Sequence, residues 1–232
     1  MTEKSYEKTF WEIISALDKS GALPHVMIVG SWAEFLYSKS LGDNVRPGFR
    51  TRDMDILVPN IYRPNKSLPL VDELENIGFS YTVDTVSGVS KFFQPDGFEL
   101  DFLARSLGRG STTVKIPSTG IVAQSLRSVD ILVNNPVVLI VNGCTITVPD
   151  LSAYILQKLL INSSRAEEKR RKDIDSLEHL IRNLGSYGYD LSDIGKTFRT
   201  LSSKKQKAIL RNSTNLSCDL SNFLKDILQS ES

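Results

Sequence analysis

The sequence contains few of the residues that would indicate a disulfide-linked, zinc-bound or membrane-embedded protein. Of its 232 residues only two are cysteines, Cys144 and Cys218, and only two are histidines, His25 and His179. This excludes a disulfide scaffold and a four-cysteine zinc module. No apolar run approaches the roughly 20 residues that a membrane-spanning helix needs, and the N-terminal segment predicts a helix and no signal peptide. We therefore expect a cytoplasmic protein that does not contact a membrane.

The chain also lacks an excess of either charge. Its 28 basic and 27 acidic residues give a formal net charge of +1, so no overall field draws the protein to nucleic acid or anionic lipid. The apolar content of 41% and the charged content of 24% are those of a globular protein, which excludes intrinsic disorder. Any contact with nucleic acid would need a local basic patch.

The order of the apolar patterns predicts an α+β fold in two parts. A helical period comes first, and short apolar runs typical of strands follow at HVMIVG, DMDILVP and FELDFLA. Asn142-Gly143, between two β-branched runs, predicts a hairpin with a type I′ turn. After Pro149 the patterns are helical only. We expect a mixed β-sheet core with flanking helices over residues 1–148, followed by a helical domain over residues 149–232.

Two carboxylates stand at the start of one predicted strand. Asp53 and Asp55 are two residues apart, so both side chains lie on the same face of the strand. Like charges this close are unfavourable unless a cation compensates them. The apolar continuation Ile56-Leu57-Val58 indicates that the strand enters the core. The two acids therefore lie at the end of the strand where it enters the core.

A later predicted strand carries a third carboxylate. Glu99 and Asp101 alternate with apolar residues and share the polar face of that strand. If the two strands are neighbours, three carboxylates converge, and such oxygen ligands suit Mg²⁺ or Mn²⁺ together with substrate phosphates. The third ligand stays open among Asp101, Glu99 and Asp96, with Asp101 preferred for its polar strand face. An Asp-x-Asp pair by itself is more often a pair of turn or surface acids.

A glycine-serine pair at a predicted strand end offers a phosphate site. Gly30-Ser31 opens a predicted helix, where free backbone N–H groups and the helix dipole attract phosphate and glycine permits close approach. The alternative is that Ser31 only caps its helix. Thr51 and Arg52 stand beside the two acids, where Arg52 either grips a phosphate or an RNA acceptor or offsets the aspartate charges.

Taken in order, these motifs resemble the DNA polymerase β-like nucleotidyltransferase superfamily. Its pattern is Gly-Gly or Gly-Ser after a strand, then Asp-x-Asp, then a carboxylate on a following strand. The version Thr51-Arg52-Asp53-Met54-Asp55 resembles the one found in the branch that contains AbiEii-type toxins. Two later segments resemble that branch as well: Pro149…Lys158-Leu159-Leu160 and Lys172-Asp173. The resemblance covers roughly residues 25–185.

The resemblance implies a role for each site residue. Asp53 and Asp55 would bind the metal ion, Asp101 would complete the site and act as a base, and Gly30 and Ser31 would hold the triphosphate. Lys158, Lys172 and Asp173 would line the nucleotide cleft. The implied activity transfers NMP from an NTP, with ATP among the candidates, to a hydroxyl on RNA, protein or a small molecule and releases pyrophosphate. Two alternatives stay open: a nucleotide-binding protein without transfer activity, and a toxin whose helical surface docks an antitoxin.

Basic residues after Pro149 give separate support for a phosphate site. Lys158 is a cation within an otherwise apolar helical run, LSAYILQKLLI, and such a cation needs a structural or functional reason. Arg165, Lys169 and Lys172 continue its spacing and form one stripe if the helix is unbroken. A break at Asn162-Ser163-Ser164 would leave only those last three aligned. The alternative for these charges is a solvated helix face.

Overall fold

A computed structural model of the chain describes residues 3–40, 51–108 and 111–230. Two compact units are distinguished by their internal packing. The first comprises Met1–Leu36, Arg50–Arg127 and Pro136–Val148. The second comprises Tyr37–Phe49, Ser128–Asn135 and Pro149–Ser232. The assignment of a catalytic core to residues 1–148 and of a separate domain to residues 149–232 stays a prediction.

A mixed sheet of seven strands forms the centre of the first unit. The strands are β1 (Met27–Val29), β2 (Asp53–Val58), β3 (Ser80–Val83), β4 (Ser90–Phe93), β5 (Glu99–Arg105), β6 (Thr113–Lys115) and β7 (Val122–Leu126). Their order is β1-β2-β5-β4-β3, and β7 pairs with both β5 and β6. β5 is parallel to β2 and to β7, whereas the other pairs are antiparallel. This confirms the predicted mixed-sheet α+β fold.

Helices of the first unit bury the apolar periods that the sequence shows. α1 (Glu3–Ser20) places Phe10, Ile13 and Leu17 at positions that are fully buried. The Phe10 ring stacks on Trp32 of α2 (Ser31–Ser40), with 4.7 Å between ring centroids. α3 (Leu70–Asn76) follows Pro69, and a short 3₁₀ turn spans Leu23–His25. Burial of these aromatic rings is a large contribution to the stability of such a core.

The predicted hairpin is present as a separate two-stranded sheet. β8 (Pro136–Val141) pairs with β9 (Cys144–Pro149). Asn142 and Gly143 have φ angles of 50° and 77°, and positive φ at both central residues is what a type I′ turn requires.

The second unit is helical. It contains α4 (Asp130–Val133), α5 (Leu151–Asn162), α6 (Glu167–Arg182), α7 (Leu191–Arg199), α8 (Ser203–Ser213) and α9 (Leu220–Ser230), with a 3₁₀ turn at Leu184–Tyr187. Asp150 caps α5 by accepting hydrogen bonds from the backbone N–H groups of Ser152 and Ala153. Its other carboxylate oxygen accepts a hydrogen bond from the Tyr189 hydroxyl at 2.6 Å. Burial and that bond together raise the pKa of Tyr189. Across the three described stretches, no helix has the length and apolar content to cross a membrane.

Candidate functional site

β2 presents Asp53 and Asp55 on one face and Met54 and Ile56 on the other, and Leu57, further along the aspartate face, is buried. Met54 and Ile56 are fully buried, whereas Asp53 is exposed and Asp55 is half-buried. Alternation along an extended strand produces this division without any further constraint. The predicted position of both aspartates at the start of a core strand is confirmed.

β5 lies directly beside β2, as the carboxylate hypothesis required. The parallel register pairs Asp53 with Glu99 and Asp55 with Asp101. Because laterally paired residues project from the same side of a sheet, the four carboxylates share one face. Asp96 has a different role: its Oδ1 accepts a hydrogen bond from the backbone N–H of Phe98 at 3.1 Å in the turn before β5.

Gly30 and Ser31 also lie beside the aspartates. β1 is antiparallel to β2 and pairs Val29 with Asp55, so the next residue, Gly30, begins the turn into α2 at this point. Gly30 has φ +67°, and a Cβ placed on it would lie 2.6 Å from Asp55 Oδ2. Only glycine fits here, because both the backbone angle and the space exclude a side chain.

Hydroxyl groups join the start of α2 to the segment before β2. The Ser31 and Thr51 hydroxyl oxygens are 2.8 Å apart, and the Thr51 hydroxyl donates to the backbone carbonyl of Asp53 at 3.0 Å. Arg52 is exposed and lies over the Tyr6 ring, 5.7 Å from its centroid. The first unit therefore brings together Gly30, Ser31 and Thr51 with the predicted metal ligands, while the Arg52 guanidinium contacts an aromatic ring.

Lys91 is a residue of this face that the sequence analysis missed. Its Nζ donates to Asp101 Oδ1 at 2.6 Å. This hydrogen bond raises the pKa of the Lys91 ammonium against the opposing effect of partial burial. The ammonium therefore stays charged. A lysine within the apolar run VSKFFQ is the signal that could have found it, the same signal that drew attention to Lys158.

The chemistry of the donors on this face suits a hard divalent cation. Asp53, Asp55 and Asp101 supply carboxylate oxygens, which are the ligands that Mg²⁺ prefers. Because Gly30 has no side chain, the Asp55 carboxylate packs against its backbone, and Oδ2 takes up the space where a Cβ would lie. In the side-chain positions seen here, no group of three or more His, Cys, Asp or Glu residues within 3–40, 51–108 and 111–230 is arranged to hold a metal ion.

The second unit contains the remaining predicted residues, and it brings only some of them together. Lys158 Nζ donates to Ser176 Oγ at 2.9 Å and lies 3.5 Å from Asp173 Oδ1. Arg165 donates to the other oxygen of Asp173 at 2.8 Å. Lys172 is separate from this group and pairs with Glu168 on the exposed face of α6. Thus Asp173 is the partner that the Lys158 cation needs within its apolar helix.

Of the two arrangements left open for the cations, the structure has the broken helix and not the continuous stripe. α5 ends at Asn162 and α6 begins at Glu167, so the helix breaks where the Asn-Ser-Ser sequence allowed a break. Arg165 lies in the connection between the helices and not on α6. The three later cations therefore do not share one helix either, because serine and asparagine favour local turns over helix continuation.

A mixed sheet with carboxylates on paired strands, beside a glycine-serine turn into a helix, defines a nucleotidyltransferase type of fold. The chain belongs to the nucleotidyltransferase family, whose sequence profile matches residues 8–194. No curated protein sequence matches it. The profile match confirms the resemblance to nucleotidyltransferases at the level of the family.

Solved structures with low sequence identity match this chain, and the one with a TM-score above 0.5 is similar to it in fold. The crystal structure of an antigenic nucleotidyltransferase-like protein from Paracoccidioides brasiliensis is 16% identical, with a TM-score of 0.51 over 97% of this chain and 94% of that one. ANT(2")-Ia in complex with adenylyl-2"-tobramycin is 16% identical, with a TM-score of 0.45 over 83% and 96%. Lincomycin-bound LnuA, a lincosamide antibiotic adenylyltransferase, is 19% identical, with a TM-score of 0.40 over 76% and 96%.

We expect Gly30→Ala to destabilise the first unit more than a left-handed backbone angle alone explains. A non-glycine residue in this conformation costs about 1–2 kcal/mol, and the contact with Asp55 adds a packing cost of about 1–3 kcal/mol. The matched control is Gly120→Ala, because Gly120 has φ +74° and open space where the added methyl group would lie. Urea unfolding of both variants measures the difference, and equal losses would show that the Asp55 contact is relieved without cost.

We also expect Asp173→Asn to destabilise the protein by about 2–4 kcal/mol, because it leaves the Lys158 charge without its buried counter-charge. The Asp173 side chain is 7% exposed and that of Lys158 14%. The control Lys172→Ala removes an exposed pair, and such pairs contribute about 0–1 kcal/mol. Urea unfolding followed by circular dichroism compares the two, and a loss no larger than the control's would contradict a structural ion pair.

Proposed function

We propose that the protein is a Mg²⁺-dependent nucleotidyltransferase that transfers NMP from an NTP to a hydroxyl acceptor and releases pyrophosphate. The observation that carries this proposal is the β2–β5 register, which sets Asp55 beside Asp101 on the face next to Gly30. Membership of the nucleotidyltransferase family supports it.

The residues around Gly30 suit the triphosphate of the donor. Backbone N–H groups at the start of α2 and the dipole of that helix attract phosphate oxygens. The absent Cβ of Gly30 lets the Asp55 carboxylate, a proposed metal ligand, come close to the backbone at the start of α2. The hydroxyls of Ser31 and Thr51 are already oriented by their mutual hydrogen bond, and Arg52 offers an exposed guanidinium near the same segment.

The reaction forms one phosphorus–oxygen bond and breaks another. The acceptor oxygen attacks the α-phosphorus, the bond from that phosphorus to the bridging oxygen breaks, and pyrophosphate leaves with the bonding electrons. Asp101 accepts the proton of the acceptor hydroxyl, and Asp53 and Asp55 hold the divalent ion. Such an ion, when bound, stabilises negative charge on the phosphate oxygens and lowers the pKa of a coordinated hydroxyl.

Several finer expectations remain part of the proposal. The segment 1–148 would provide the catalytic core, and Lys158, Lys172 and Asp173 would assist nucleotide binding from the helical part. The AbiEii-type branch is supported by the Thr51-Arg52-Asp53 sequence and by the Lys158-Leu159-Leu160 and Lys172-Asp173 segments. A toxin of that branch would act with an antitoxin as its partner. RNA, protein and small molecules are the three acceptor classes that experiment must separate.

One observation favours a second candidate, a nucleotide-binding protein without transfer activity. Lys91 already neutralises Asp101, the predicted base, through a bond of 2.6 Å. Because the ammonium engages Asp101 Oδ1, that oxygen is occupied and does not face an acceptor hydroxyl. Such a protein would bind Mg·NTP without turnover.

We expect wild-type protein to bind at least one of the four NTPs in the presence of Mg²⁺ and Asp53→Ala to lose about tenfold or more in affinity, equivalent to about 1.4 kcal/mol. The reason is the loss of one carboxylate ligand. Isothermal titration calorimetry with and without Mg²⁺ measures the affinity. Asp72→Ala is the control, because Asp72 is an exposed aspartate of α3. If no NTP binds to the wild-type protein, the proposed function is wrong.

Transfer itself is tested with α-phosphate-labelled forms of the NTP that binds. The protein is incubated with total RNA, with a desalted protein fraction and with a small-molecule extract, each prepared from cells. Label in one fraction names the acceptor class, and its absence in Asp53→Ala shows that the carboxylate is needed. Binding without label in any fraction would favour the non-catalytic candidate.

A further inference from the structure

Lys91 lies on the sheet face that carries the carboxylates. β4 runs antiparallel to β5 and pairs Phe92 with Leu100, and both of these side chains are buried. Strand alternation then directs the residues beside them, Lys91 and Asp101, to the opposite, carboxylate-bearing face. The topology therefore gives three adjacent strands, β2, β5 and β4, one charged row.

The contact between the two side chains is close and partly shielded. Lys91 Nζ is 2.6 Å from Asp101 Oδ1, and the side chains are 39% and 24% exposed. A charge-assisted hydrogen bond of this length restricts the rotamers of both groups. Because Oδ1 accepts this bond, Oδ2 is the oxygen with which Asp101 meets a further partner.

The Lys91–Asp101 pair differs from an isolated surface ion pair because other carboxylates lie on the same face. Asp53, Asp55, Glu99 and Asp101 are four carboxylates on one face, and the Glu99 charge also favours the protonated form of Lys91. An isolated surface ion pair contributes little to stability. Here the lysine's partner is the residue proposed to accept the acceptor's proton, so orientation matters more than pairing energy.

We propose that Lys91 is a positioning residue that holds Asp101 through Oδ1 and presents Oδ2 to the acceptor hydroxyl. This inference rests on the proposed function. A competing role is also physically possible: the ammonium would occupy a cation position and leave when a metal ion binds. The two roles differ in what the Lys91–Asp101 bond does on addition of Mg²⁺ and NTP.

The kinetic test compares Lys91→Met with Lys91→Arg. A positioning role predicts that Lys91→Met lowers the turnover number about tenfold or more, as small misplacements of reacting groups do, while the affinity for Mg·NTP stays within about threefold of wild type. Lys91→Arg keeps a donor and a charge and should recover most of the turnover. Lys115→Met, an exposed strand lysine of β6, is the matched control for a lysine-to-methionine change.

A spectroscopic test does not depend on turnover. The ¹⁵N signal of the Lys91 ammonium is assigned by its loss in Lys91→Arg and is expected to shift in Asp101→Asn. Addition of Mg²⁺ and the NTP that binds should leave the protected ammonium signal in place. Release of the ammonium, seen as loss of that signal in wild-type protein, would overturn the positioning role in favour of competition.

The outcomes separate this inference from the function on which it rests. An active wild type with an equally active Lys91→Met overturns the role of Lys91 alone. A Lys91→Met that loses turnover and Mg·NTP affinity equally, and is not rescued by arginine, overturns it as well. A wild type that binds Mg·NTP but labels no fraction overturns the transfer function, and the role of Lys91 with it.

Discussion

The parallel pairing of β2 with β5 is the constraint on which the candidate site depends. Its apolar side is fixed by burial: Met54 lies beside Leu100 and Ile56 beside Phe102, and all four side chains are buried. A slip of one residue would turn the apolar side chains of one strand to the other face. The burial of several apolar groups, and the folding free energy that it contributes, would then be lost. Burial on one face therefore sets Asp55 beside Asp101 on the other, although like charges repel.

The sequence predicts those parts of this arrangement that depend on residues close together along the chain. Local alternation around Asp53 and Asp101 was enough to identify both strands and the faces of their acids. The Asn142-Gly143 turn was equally local, because the residue types themselves favour the positive φ angles. By contrast, β6 and β7 were not predicted, since β6 has a single apolar residue, Val114, and β7 includes the polar pair Gln124-Ser125.

The partners of the charged groups could not be predicted, because they are set by contacts between distant segments. Lys91 reaches Asp101 only because β4 is the neighbour of β5. The order of strands in a sheet cannot be predicted from the sequence of any one strand. The sequence identified Lys158 as a cation within an apolar helix. Its counter-charge, Asp173, could not be identified because the contact depends on how α6 packs against α5 after the break. Sequence spacing left a continuous stripe and a helix break both open, and the structure has the break.

The two lysine–aspartate pairs differ in burial and in the number of cations around the carboxylate. Asp173 is 7% exposed and has two cations around it, so exchanging either for a ligand would leave a buried charge poorly compensated. Asp101 is 24% exposed, has one lysine on one oxygen, and faces a row of other carboxylates. The hydrogen bond from Lys91 orients the Asp101 carboxylate, while the partial exposure of both side chains leaves it accessible to a ligand. The pair on the sheet is therefore the one whose geometry can serve proton transfer, whereas the buried pair joins α5 to α6.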